Sequence, residues 1–176
     1  MSTRDEVAEQ VRGWFAGRLP EEWFEEPVEL TLDREEITVV GRITAPRVAE
    51  DASAAERAAA VEGRIRAFRE DTRERRIAVA REAEHRFGRK VAWGVRCGED
   101  SALFTHLAVP VMTRLRQPER QVLDTLVEAG VARSRSDALA WAVRLVGRHT
   151  QDWLAELRTA MEQVERVRAN GPDATT

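Results

Sequence analysis

One segment, from Val109 to Val146, limits what this chain can become more than any other: VPVMTRLRQPERQVLDTLVEAGVARSRSDALAWAVRLV. It opens with a short alternating run that ends at Arg114-Leu115. A helix follows, then a turn centred on Gly130, then a second helix introduced by Ser134-Arg135-Ser136-Asp137. A lone strand leaves its backbone hydrogen-bonding groups unpaired. Two helices on one strand enclose too little apolar surface to make a core. A second copy of the same chain supplies both missing parts, so the segment predicts a homodimer.

The residues Arg114-Leu115, Leu126-Val127-Glu128-Ala129-Gly130 and Ser134-Arg135-Ser136-Asp137-Ala138-Leu139 fall in one ungapped frame. They match a strand ending in Arg-Leu, a first helix ending in Leu-Val-x-x-Gly, and a second helix opened by Ser-Arg-Ser-Glu-Ala. In this the segment resembles the ribbon-helix-helix family, the Arc/Met repressor-like, CopG-type DNA-binding proteins. The match spans roughly 40 of the 176 residues. The resemblance implies a homodimeric transcriptional regulator acting on double-stranded DNA, its two strands paired as an antiparallel ribbon in the major groove.

Strand side chains alternate, so an inward Leu115 puts Val111 and Thr113 on its own face. With Leu139, Val143 and Val146 of the second helix, these form the expected dimer interface. Pro110, Met112 and Arg114 then face outwards, where the family usually offers several polar side chains. Arg114 can hold a guanine through two hydrogen bonds, a discrimination of roughly 1–3 kcal/mol, and Met112 can touch a thymine methyl. Arg116 joins them as an expected DNA contact. Unpaired N–H groups at the start of the second helix suit a phosphate. Ser134 and Ser136 can cap that end or donate to phosphate, and Arg133 and Arg135 add charge. Such contacts fix position on DNA without reading sequence.

Two other readings stay open. Pro118–Gly130 followed by Ser134–Val146 also fits a helix-turn-helix, with Arg135, Asp137 and Trp141 facing the bases and no ribbon needed. Alternatively the paired strands and the later helical seam serve only as a homodimeric scaffold that presents the N-terminal part to a protein partner. The acidic N-terminus favours that version.

Charge is unevenly divided. The whole chain has a net charge of -3. Residues 1–50 carry 12 acidic and 6 basic side chains, whereas residues 51–90 and 109–150 each hold a basic excess of three. One basic block coincides with the DNA-like module, and a dimer doubles it. Cys97 is the single cysteine, which excludes an internal disulfide and fits a reducing, cytoplasmic setting. No apolar run reaches the ~20 residues that span a bilayer, so no membrane partner is expected, and the N-terminus lacks a signal-peptide core.

The N-terminal half reads as α-β-β-α-β-β. Val7, Val11, Trp14 and Phe15 mark a first helix from Asp5 to Arg18. Val28, Leu30 and Leu32, then Ile37, Val39 and Ile43, mark a hairpin around the polar turn at Asp33–Glu36, with Gly41 read as a bulge. Ser53 and Glu56 form a capping box for one long helix that runs to Gly88, with Val61, Ile65, Phe68, Thr72, Val79, Ala83 and Phe87 along its inner stripe. Val91 to Cys97 alternate as a strand, and Leu103–Val109 is expected as another that runs almost directly into Val111–Leu115. After Gly130, Leu139, Val143, Val146, Thr150, Trp153, Leu157, Ala160, Val164 and Val167 alternate at spacings of four and three, a coiled-coil seam. Helix is expected through most of 136–168 with Gly147 as its weak point; a break there, with Thr150 capping a separate last helix, is the alternative.

The expected fold is therefore α+β. An α-β-β-α-β-β domain with an antiparallel sheet occupies 1–108, a ribbon-helix-helix-like module with an extended C-terminal helix 109–170, and a disordered tail 171–176.

Nothing assembles as a catalytic set. His85, His106 and His149 lack metal-ligand spacing. Cys97 alternates onto an apolar face and reads as a buried, inert thiol. The pairs Glu21-Glu22 and Glu25-Glu26 flank Trp23-Phe24 and read as an exposed acidic loop, with Trp23 the tryptophan expected to be open to a partner. The arginine-rich helix mixes both signs, which favours a solvated face. Neither an enzyme nor a cofactor is expected.

Overall fold

The computed structural model describes residues 3–169. The expected tail at 171–176 lies outside them. The chain divides into two compact units, one covering Thr3–Val109 and one that takes in Pro110 onwards. The fold class is α+β.

The first unit contains α1 (Thr3–Arg18), a single 3-10 turn (Glu21–Trp23), β1 (Glu29–Leu32), β2 (Glu36–Arg42), α2 (Ala54–Asp71), α3 (Arg73–Phe87), β3 (Lys90–Cys97) and β4 (Asp100–Leu103). The strands lie in sequence order in one sheet. The outer pairs, β1 with β2 and β3 with β4, are antiparallel. The central pair, β2 with β3, is parallel, with Ile37 opposite Val91 and Val39 opposite Trp93. The sheet is thus mixed, not wholly antiparallel. The helices between β2 and β3 carry the chain back to the end of the sheet where β2 began, and a crossover of that kind returns the next strand parallel.

Strand alternation builds the core. Ile37, Val39, Val91 and Trp93 meet Val11 and Phe15 of α1, Trp23, and Val79 and Ala83 of α3. Burying each large side chain contributes roughly 1.5–3 kcal/mol. Trp23 is buried, which corrects its expected exposure. Its ring packs edge-on to Phe68 and Trp93, and Arg75 lies 5.3 Å above it. Gly41 is not a bulge: it pairs regularly with Val95. Glycine is required there because a Cβ would sit 2.2 Å from the Phe24 ring. The capping box at Ser53 and Glu56 forms as expected, and α3 ends on Gly88 with φ of 65°, a left-handed stop.

Three boundaries move. The expected long helix is two helices, interrupted at Thr72. The Thr72 hydroxyl donates to the Phe68 carbonyl at 2.6 Å, a back-bond that bends helices. Arg76 then spans the joint, donating to Thr72 Oγ1 and to the Arg69 carbonyl. The expected strand at Leu103–Val109 is instead β4 at Asp100–Leu103, with Phe104 N donating to the Trp93 carbonyl as the last rung. There the Phe104 ring packs on Phe68, beneath Arg69 and Arg76, and the chain leaves the sheet.

The third shift is in the second unit, which holds α4 (Gln117–Glu128), α5 (Arg135–His149) and α6 (Gln151–Ala169). Gly147 lies inside α5, so it is not the weak point. The interruption is at Thr150, whose hydroxyl bonds back to the Val146 carbonyl at 2.6 Å. The core of this unit is Leu123, Ala132 and Ala138, with Leu115, Leu126, Val127 and Leu139 packed around it. Two of its three buried residues are alanines, which bury too little surface to hold two helices alone.

Candidate nucleic-acid interface

The turn between α4 and α5 is built by backbone geometry. Gly130 has φ of 74°, a conformation costly for residues with a Cβ. It lets Val131 N and Ala132 N both reach the Leu126 carbonyl, satisfying an orphan acceptor at the end of α4. Ala132 is thereby carried into the small core. Two residues further on, Ser134 is the N-cap of α5, and its side chain accepts from Asp137 N at 3.2 Å.

Asp137 has a second role, which reading the sequence missed. Its Oδ2 accepts from Arg133 N at 3.0 Å, with the Arg133 guanidinium 3.7 Å away. That backbone hydrogen bond, aided by the Arg133 and Arg144 charges, holds the Asp137 carboxyl below the usual carboxylate range. The start of α5 thus carries a carboxylate of its own, placed where the helix dipole favours negative charge.

Arg135 is engaged as well. Its Nε and Nη2 donate to the two oxygens of Asp124 on α4, at 2.6 and 2.7 Å. This pair lowers the Asp124 carboxyl and raises the Arg135 guanidinium. Asp124 gave no signal in the sequence: it is eleven residues away, across a turn, and no periodicity links the two. Arg120, another residue the sequence did not single out, donates to the Leu115 carbonyl at 2.7 Å and ties the end of the strand-like segment to α4. Arg133 and Ser136 are exposed.

The stretch from Thr105 to Leu115 forms no strand in the single chain, and among the described residues its backbone makes no hydrogen bond to other backbone. Leu115 is half-buried against the small core. Val111 and Met112 are 86% and 96% exposed, and Thr113, Arg114 and Arg116 are also exposed. Neither Arg114 nor Arg116 makes an ion pair among the described residues. On α5, Leu139 packs on the small core, whereas Val143 and Val146 are 65% and 54% exposed. The single chain therefore leaves most of the expected interface uncovered. Trp141, which the helix-turn-helix reading turns outwards, is half-buried.

Among the described residues, the first unit gathers no comparable set. Cys97 is buried beside Ile43 and Val95, and burial pushes its thiol up. The acidic loop is neutralised in part, with Glu22 paired to Arg75 and Glu26 to Arg42. Among the described residues no set of three or more His, Cys, Asp or Glu gathers in a way that could hold a metal ion. No described helix is long and apolar enough to cross a membrane.

Fold and site define a two-part α+β protein: a mixed-sheet unit, then a unit of three helices whose apolar surface is largely bare. Residues 9–103 match the Rv1265-like protein N-terminal domain, and residues 116–168 match the Mb1296 C-terminal domain. The chain belongs to the Rv1265-like family. It is 61% identical over 160 residues to the uncharacterized proteins Mb1296 of Mycobacterium bovis and Rv1265 of Mycobacterium tuberculosis, a span covering 91% of this chain and 69% of each relative. No solved structure is significantly similar.

Proposed function

We propose that this chain is a cytoplasmic, nucleoid-associated transcriptional regulator whose second unit is a ribbon-helix-helix module. It works as a homodimer, binds double-stranded DNA and carries out no catalysis. One observation carries the reading. A segment, Val111–Arg114, that is bare and unpaired in the single chain leads into α4, which ends on a left-handed Gly130 and is followed by a Ser134-capped helix. Pairing two such segments satisfies their backbone groups and covers Val111, Val143 and Val146. Arg114 and Arg116, with no internal ion partner, are then the cations available to bases and phosphates.

Titration of fluorescent random-sequence duplex DNA across salt tests it. Phosphate contacts release counterions, so the logarithm of affinity falls linearly with the logarithm of salt concentration, steeply between about 50 and 200 mM. Replacing Arg116 by alanine removes one phosphate contact from each protomer and flattens the slope of the dimer by about two, at roughly one per lost contact, whereas replacing Arg114 by alanine relaxes the preference for sequence. Absence of binding at low salt contradicts the reading.

A second reading has its own support. Arg135 is already neutralised by Asp124, which favours a dimeric scaffold that never meets DNA and instead offers the acidic N-terminal region to a protein. A stable dimer with no DNA shift at low salt selects it.

A further inference from the structure

Helix α6 carries an apolar face that its own unit leaves open. Trp153, Leu157, Met161, Val164 and Val167 are all exposed. With Ala160, the series 153, 157, 160, 164, 167 alternates steps of four and three, the repeat that fits a second helix of the same repeat. A flat surface or a sheet does not select that spacing.

The face is complementary to itself in one direction only. Laid antiparallel on a second copy, Trp153 meets the partner's Val164 and Leu157 meets the partner's Ala160. Each of these layers then joins a larger residue to a smaller one. Leu154 and Met161, beside the seam, fall on the same flank as their counterparts. The helix dipole favours the same direction: antiparallel helices oppose their dipoles. Parallel helices would instead stack Trp153 on Trp153 and Ala160 on Ala160.

We propose that α6 is a self-association helix that pairs antiparallel with α6 of a second copy, an interface separate from the strand ribbon. It extends the homodimer reading without resting on DNA binding or on pairing of the strands.

Disulfide trapping in the full chain tests it. Cysteines whose Cβ atoms lie about 3.5–4.5 Å apart can bridge. Leu157→Cys and Ala160→Cys chains are prepared separately, oxidised alone and oxidised as a mixture. Cys97 stays in place as a buried thiol common to all samples. The expected result is a covalent dimer in the mixture and none in either chain alone. Trp153→Cys mixed with Val164→Cys gives the same answer in a second layer, should the first pair fail to fold. The trap is repeated with Thr113→Pro, which disables strand pairing, and cross-linking persists. Three results overturn the proposal: no cross-link in either mixture, cross-linking of each variant with itself, or loss of the cross-link with Thr113→Pro. DNA is absent throughout, so these outcomes do not depend on whether the chain binds it.

Discussion

Arg135 and Asp124 join the helices of the second unit through two parallel hydrogen bonds, from Nε and Nη2 to the two carboxylate oxygens, at 2.6 and 2.7 Å. Forked pairing of this kind fixes geometry as well as charge. It places an internal competitor beside a cation that the family resemblance assigns to phosphate. If DNA engages Arg135, it must first displace Asp124.

Removing that competitor tightens binding. With Asp124→Asn, affinity for duplex DNA rises and the salt slope of the dimer steepens by about two, the increment for one added phosphate contact in each protomer. With Arg135→Ala the slope stays near that of the native chain, because Arg135 begins neutralised. A fluorescence titration at several salt concentrations reads both. Weaker binding by Asp124→Asn would show that the pair positions the helices rather than restrains the arginine.

Acid should loosen the same unit. The Asp124 and Asp137 carboxyls are both held below their usual range in the folded chain. A depressed folded value means that the carboxylate contributes stability above the unfolded value, about 3.9 for aspartate. That contribution is lost as pH falls through the lower folded value. Urea unfolding followed from pH 7 down to about pH 3 will show native stability dropping faster below about pH 5 than in the Asp124→Asn, Asp137→Asn double variant. Parallel curves contradict the assignment.

The start of α5 depends on its cap. Ser134→Ala removes the acceptor for Asp137 N and costs about 1 kcal/mol, read as a lower urea midpoint at unchanged slope. Ser134→Asp, which keeps an acceptor, restores most of it. Equal losses in both variants would mean that capping is not what Ser134 supplies.

In the first unit, two glycines should respond in opposite directions. Gly41→Ala drives a Cβ into the Phe24 ring and destabilises by roughly 1–3 kcal/mol, the cost of overpacking a filled core. Gly13 lies within α1 with nothing within 4 Å of its missing Cβ. Gly13→Ala stabilises by roughly 0.5–1 kcal/mol through helix propensity. Thermal melts of the two variants separate a packing glycine from an incidental one.

These cases show what the sequence could and could not reveal. Alternation located β2 and β3, and local capping rules located Ser53, Gly88 and Ser134, because those signals lie within a few residues of their effect. Gly41 carried the wrong meaning because the ring that fills its space, Phe24, is distant in sequence. Trp23 was misread because its acidic neighbours look solvated, while its own ring turns inwards to Phe68 and Trp93. The breaks at Thr72 and Thr150 each coincide with a hydroxyl bonded back to the carbonyl four residues earlier. Threonine alone does not announce a break: Thr125 and Thr159 make the same bond inside unbroken helices. At the candidate interface, Gly130 and the Ser134 cap were legible. The Asp124–Arg135 pair was not, since it exists only once α4 and α5 pack.

Amide hydrogen exchange across Val111–Leu115, recorded at a concentration where light scattering reports the molar mass, tests the central claim most directly. The account predicts a mass of about 40 kDa, twice the 19.9 kDa chain, with amides in this segment protected. A 19.9 kDa species in which these amides exchange at the rate of free peptide contradicts it.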